Sequence, residues 1–112
     1  MAFDEGLAQR VREALGPQSG ITERRMFGGL AFLLDGKMFV GISGEKLMAR
    51  VGAQHYADAL ALPHVREMTF TGRPLKGYVY IDPPGLVEDD ALAAWVTWCA
   101  SHVAALPAKK PK

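Results

Sequence analysis

Arg25-Met26-Phe27-Gly28-Gly29-Leu30-Ala31-Phe32 sets cationic side chains and a glycine pair directly ahead of a segment that reads as a buried strand. Leu30-Ala31-Phe32-Leu33-Leu34 is too short for an ordinary helix and ends at Asp35-Gly36, so it predicts a strand covered on both faces. Asp35-Gly36 is a hairpin signal, because glycine admits the positive φ that two-residue turns require. The return strand spans 37–43, with Met38, Val40 and Ile42 expected on one face. Ser43-Gly44-Glu45 turns the chain again into 46–51, where Leu47, Ala49 and Val51 alternate with Lys46, Met48 and Arg50. Three strands joined by tight turns make an antiparallel meander.

The opening motif has an echo in Thr71-Gly72-Arg73-Pro74-Leu75-Lys76-Gly77-Tyr78. Here 71–76 reads as a polar turn between strands at about 66–70 and 77–82. The two-residue strand period puts Tyr78 and Tyr80 on one face, Val79 and Ile81 on the other. Residues 21–26 read either as a short edge strand or as an extended loop.

Three helices complete the pattern. Phe3, Leu7, Val11 and Leu15 recur every four positions with Ala14 beside them, which predicts a helix over about 4–15. Asp4 and Glu5 fall in its first turn, opposing the helix dipole, and Gly16-Pro17 ends it. A short helix over about 53–61 follows Gly52, with Tyr56, Ala57 and Leu60 facing in, and closes at Pro63. Leu92, Trp95, Val96, Cys99, Val103 and Leu106 form the stripe of a last helix over about 89–106, with Glu88, Asp89 and Asp90 loading its first turn. The order helix, three strands, helix, two strands, helix implies a two-layer α+β domain over 1–106, its antiparallel sheet of about five strands carrying helices. The polar, basic, proline-rich tail 107–112 is expected to be disordered.

Composition bounds the function. A chain of 112 residues has room for one domain, 49% hydrophobic and 22% charged residues are ordinary for a globular protein, and the net charge is only +1. Proteins held on nucleic acid by bulk electrostatics are usually strongly basic. The single Cys99 excludes an internal disulfide, and no cysteine or histidine spacing suits zinc. Neither a signal peptide nor a membrane-spanning apolar run is present, so a cytoplasmic protein without membrane contact is expected.

No reactive constellation emerges. His55, His64 and His102 have no i, i+4 pairing that would seat a metal. Cys99 lies on an apolar stripe and is expected to be buried and inert. Ser19, Ser43 and Ser101 lack a nucleophile-elbow setting, and Asp82 with Glu88, Asp89 and Asp90 is accounted for by helix capping. Gly28-Gly29 precedes a strand, whereas phosphate loops precede helices. The expectation is therefore a non-enzyme without cofactor or metal. Among the cations Arg24, Arg25, Lys37, Arg50, Arg73 and Lys76, four become a binding site if they converge at one end of the sheet: Arg24, Arg25, Arg73 and Lys76. The alternative is that they are solvated or paired with Glu23 and Glu67, at about 0–1 kcal/mol each. Met26, Phe27, Gly28, Gly29, Gly72, Pro74 and Gly77 are structural. An exposed pair, either Val79/Ile81 or Tyr78/Tyr80, would offer a homodimer surface.

With these residues in place, the sequence resembles the N-terminal domain of the TfoX/Sxy family, named for bacterial regulators of natural competence. The resemblance runs from Phe3-Asp4 to about Leu106. It is most specific in 25–32, in the hairpin over 38–51, in Phe70-Thr71-Gly72-Arg73-Pro74-Leu75-Lys76-Gly77-Tyr78-Val79 and in Leu92-Ala93-Ala94-Trp95-Val96. It implies the same α+β order and a regulatory, non-catalytic role. In the full-length regulators such a domain precedes a helical C-terminal domain and the protein promotes competence-gene transcription beside a cyclic-AMP-dependent activator. For this chain it implies a stand-alone module working through a protein partner, a second copy of itself being one candidate; weak nucleic-acid binding by the Arg/Lys group is the alternative.

Overall fold

Asp4 starts the first helix from just outside it. Its carboxylate accepts hydrogen bonds from the backbone N–H groups of Gly6 at 2.8 Å and Leu7 at 3.2 Å. Two donors that a helix start leaves without partners are thereby satisfied. In the computed structural model, which describes residues 3–16, 20–26, 28–70 and 72–105, α1 (Glu5–Leu15) turns Leu7, Ala8, Val11 and Leu15 into the core. The chain continues as β1 (Ile21–Met26), β2 (Gly29–Leu34), β3 (Lys37–Ser43) and β4 (Lys46–Arg50). A 3-10 turn (Ala53–His55) runs into the short α2 (Tyr56–Leu60), followed by β5 (Val65–Phe70), β6 (Arg73–Ile81), a second 3-10 turn (Pro83–Leu86) and α3 (Asp89–Ala104).

The strands form one six-stranded sheet in the order β1-β2-β3-β4-β6-β5, every neighbouring pair antiparallel. The α+β class and element order are as expected; the sixth strand is the segment 21–26, which pairs along its whole length with β2. At the β2–β3 turn Asp35 and Gly36 have φ of 50° and 82°, the paired positive values of a hairpin turn that follows strand twist.

Helices α1 and α3 cover one face of the sheet. Phe32, Val40, Ile42, Leu47, Ala49, Val51, Val79 and Ile81 meet Leu92, Val96, Cys99 and Val103 there in the main core. In α2 the buried residue is Ala59; Tyr56 and Leu60 are half-buried, and Ala57, expected to face in, is exposed. The last helix ends at Ala104, and Leu106 and the tail 107–112 lie outside the described residues.

Two departures from simple alternation shape the opposite face. Phe32 pairs with Val40 but Leu33 pairs with Met38, so Phe39 is an extra residue in β3. Such a bulge reverses the facing of every residue beyond it. Phe39 and Val40 both enter the helix-side core, and Met38, expected beside Val40, points the other way and packs with Leu33. The second departure is the β5–β6 ribbon. Strand β6 begins at Arg73, where a turn over 71–76 was expected, and its first residues extend past β4, whose last partner is Tyr78. Pro74 is tolerated because that stretch pairs only with β5, leaving its missing N–H on an unpaired side. An irregularity between Glu67 and Thr69 and the positive φ of Gly77 (93°) bend the ribbon. Met68 and Leu75 are thereby carried into a second cluster with Ala31, Leu33, Met38 and Met48.

Among the described residues, no helix is long and apolar enough to cross a membrane.

Candidate interaction surface

The four cations singled out in the sequence do not share one surface. On β1, Arg24 pairs with Ala31 and Arg25 with Leu30. Cross-strand partners share a face. Ala31 belongs to the second cluster and Leu30 to the helix-side core, so the two arginines point to opposite sides. The guanidinium of Arg25 lies over the ring of Phe3, 5.9 Å from its centroid. Arg73 and Lys76 are exposed on the ribbon part of β6, with three strands between β6 and β1 in the sheet. Glu23, a proposed partner for this group, is held instead by Arg12 through two bonds of 2.8 Å, which keep its carboxyl below the ordinary 4.5.

The motif residues fall where backbone geometry is tight. A Cβ on Gly29 would collide with the backbone carbonyl of Ile42 on β3, two strands being drawn together at that point. Gly28 has φ of 74° with open space around it, and Gly72 behaves likewise on the ribbon turn. The side chain of Met26, and Phe27 altogether, lie outside the described residues.

The surface that does assemble joins Arg50, one of the candidate cations, and the Tyr78/Tyr80 pair with Lys46 and Arg66, which were not expected there. On the helix-free face, β6 presents Tyr78 and Tyr80, both half-buried. Cations on the flanking strands lie over their rings: Lys46 of β4 at 5.2 Å and Arg66 of β5 at 5.9 Å from Tyr80, and Arg50 of β4 at 5.7 Å from Tyr78. Arg66 also holds Asp82 through two 2.8 Å bonds, which depress the Asp82 carboxyl below 3.8. No carboxylate among the described residues stands within ion-pair distance of Lys46, Arg50 or Arg24. The alternation of 46–50 and 78–81 already announced the shared facing of Lys46 and Arg50 and of the two tyrosines. That β4 and β6 are neighbours was hidden, because β5 intervenes in sequence.

Of the remaining reactive side chains, His64 is exposed, and Cys99, His102, His55 and Tyr56 serve packing. Cys99 is fully buried, and burial pushes its thiol up to about 12, opposed only by a hydrogen bond with the Arg50 backbone. His102 packs its ring against Gly52; burial, then the charges of Arg50 and His55, lower its pKa. His55 meets the edge of Trp98 at 6.0 Å, and Trp98 stacks on Trp95 at 5.2 Å. The Tyr56 hydroxyl is buried with no hydrogen bond of good geometry among the described residues, and desolvation, followed by the nearby Glu67 carboxylate, raises its pKa. A cleft of about 320 Å³ beside the start of α1 is lined by Asp4, Arg10, Glu45 and Val87. Its one arginine, Arg10, is already spent on the Leu86 carbonyl at 2.7 Å and on Asp89 at 2.9 Å. Among the described residues, no group of three His, Cys, Asp or Glu is placed to hold a metal.

Neither the curated proteins nor the solved structures gave a match to this chain. The family model of the TfoX N-terminal domain matches residues 13–103, from the last turn of α1 to the end of α3 and across the whole sheet. That span holds the glycine-framed β1–β2 hairpin, the β5–β6 ribbon and the α3 stripe, and the chain belongs to the TfoX N-terminal domain family.

Proposed function

We propose that this domain is a non-catalytic regulatory module of the cytoplasm that works by holding a protein partner, in transcriptional or competence control of the kind its family is named for. Family membership supports the regulatory role. The observation that carries the mode of action is the helix-free sheet face. It presents half-buried tyrosines and cations on an antiparallel scaffold, while Cys99 is buried, Tyr56 and His102 are half-buried, His55 and His64 are exposed, and none of them stands in a nucleophile–base pairing among the described residues. Weak nucleic-acid binding through Arg24, Arg25, Arg73 and Lys76 draws less support, because Arg24 and Arg25 face opposite sides of the sheet.

Affinity capture of the tagged protein from its own cells, scored for protein and nucleic acid together and repeated after nuclease treatment, tests the reading. A stoichiometric protein partner that survives nuclease is expected. Recovery of nucleic acid alone, or of nothing above background, would overturn it.

A further inference from the structure

Lys46, Arg50 and Arg66 stand with Tyr78 and Tyr80 on one strip of the helix-free face, and the carboxylate beside them, Asp82, is already bound by Arg66. The whole chain carries a net charge of only +1, so this local excess of cations is a feature of the strip and not of the protein at large. Resting on the reading of this domain as a protein-contact module, we propose that the strip over β4, β6 and β5 seats an acidic, extended polypeptide segment. Charge complementarity selects the occupant. Lys46 and Arg50 lie four residues apart on β4, about 13 Å along an extended strand, so carboxylates at alternate positions of a facing extended segment meet both. Arginine adds paired donors matched to a carboxylate, and the tyrosine hydroxyls add further polar contacts. Single-stranded nucleic acid fits less well. Its sequence-tolerant binding needs open aromatic faces for base stacking, and here a cation from a neighbouring strand already lies over each tyrosine ring.

The test is a titration of the isotope-labelled protein, followed by amide chemical shifts, with a synthetic peptide alternating glutamate and valine. The same peptide with glutamine for glutamate and an oligothymidylate of equal charge serve as comparisons. The expected result is that shifts concentrate on β4 and β6, that binding weakens with salt, and that the glutamine peptide binds at least about tenfold more weakly. The neutral double variant Lys46→Gln/Arg50→Gln, checked for native amide dispersion, should lose about tenfold or more. Ala94→Glu/Thr97→Glu, which lowers net charge equally on the exposed side of α3, should bind as the parent does. Equal binding by the glutamine peptide, unchanged binding by the Lys46/Arg50 variant, tighter binding of the oligothymidylate on the strip, or self-association through it would each overturn the proposal. If the cellular partner is still captured by the Lys46/Arg50 variant, the strip is not its seat and the regulatory-module reading stands; if the parent captures none, that reading falls instead.

Discussion

At the scale of single residues, the two glycines that open β2 do different work, and substitution separates them. Gly28 needs its positive φ of 74° but has open space, so Gly28→Ala should cost about 1 kcal/mol of backbone strain. At Gly29 a Cβ would press on the Ile42 carbonyl, and a backbone atom inside a paired sheet cannot move aside cheaply, so Gly29→Ala should cost roughly 2–3 kcal/mol. Urea unfolding of the two variants checks the order; a Gly29→Ala protein as stable as Gly28→Ala would refute the close-approach account. The glycine pair was legible as a place where side chains are unwelcome. Which of its members is held by conformation and which by a neighbouring strand was not, because the collision partner lies thirteen positions away in the sequence. Cys99 was fully legible, since its place on the α3 stripe already implied burial. A disulfide-exchange reagent at pH 8 should label it at least about a hundredfold more slowly in the native protein than in urea, given a thiol pushed up to about 12.

Among elements, the hairpins and helices were readable because their signals are local: Asp35-Gly36, Gly16-Pro17, the four-residue spacing of α1. Features that depend on pairing were not. The segment 21–26 has no alternation of its own, and it becomes a strand because β2 lends it an edge with Met26 opposite Gly29. The cluster Thr71-Gly72-Arg73-Pro74 looks like a loop by composition, yet Arg73 and Pro74 pair with Phe70 and Thr69 in a ribbon that needs bonds on one side only. The bulge at Phe39 leaves no local trace, and it alone decides that Met38 faces away from Val40. Interactions between helix ends are similarly non-local. Arg10 of α1 ties the carbonyl of Leu86 and the first turn of α3 at Asp89, so it locks the two helices over the sheet. Arg10→Ala should cost about 1 kcal/mol, most of it from the carbonyl bond because Asp89 is largely exposed. That corresponds to a fall of roughly 5 °C in Tm for a domain of this size. An unchanged Tm would mean that apolar packing alone docks α1 on α3.

For the whole molecule, the perturbed groups make stability depend on pH with opposite signs on the two sides of neutrality. On the acid side Glu23 and Asp82 have folded pKa values below their ordinary 4.5 and 3.8, because Arg12 and Arg66 hold their charged forms. The unfolded chain therefore takes up these protons first, and the stabilisation present above those values is lost as the pH falls through them. His102 acts in the same direction earlier, since burial lowers its folded pKa from 6.5 and the unfolded state again binds the proton more readily. On the alkaline side the order reverses. The Cys99 thiol ionises near 9.0 when unfolded and only at about 12 when folded, so unfolding releases a proton and stability falls as pH rises from 9.0 towards 12, by up to about 1.4 kcal/mol per pH unit. Tyr56, its pKa raised above 10.0, adds to the same limb at higher pH. The expected profile of denaturant midpoint is a plateau near neutral pH, a gradual acid decline beginning below 6.5, and a steeper alkaline decline beginning at 9. Cys99→Ala, whatever its stability at pH 7, should show a markedly shallower decline between pH 9 and 10, where Tyr56 has yet to contribute. Parallel alkaline limbs in the parent and the variant would show that the buried thiol does not set that boundary.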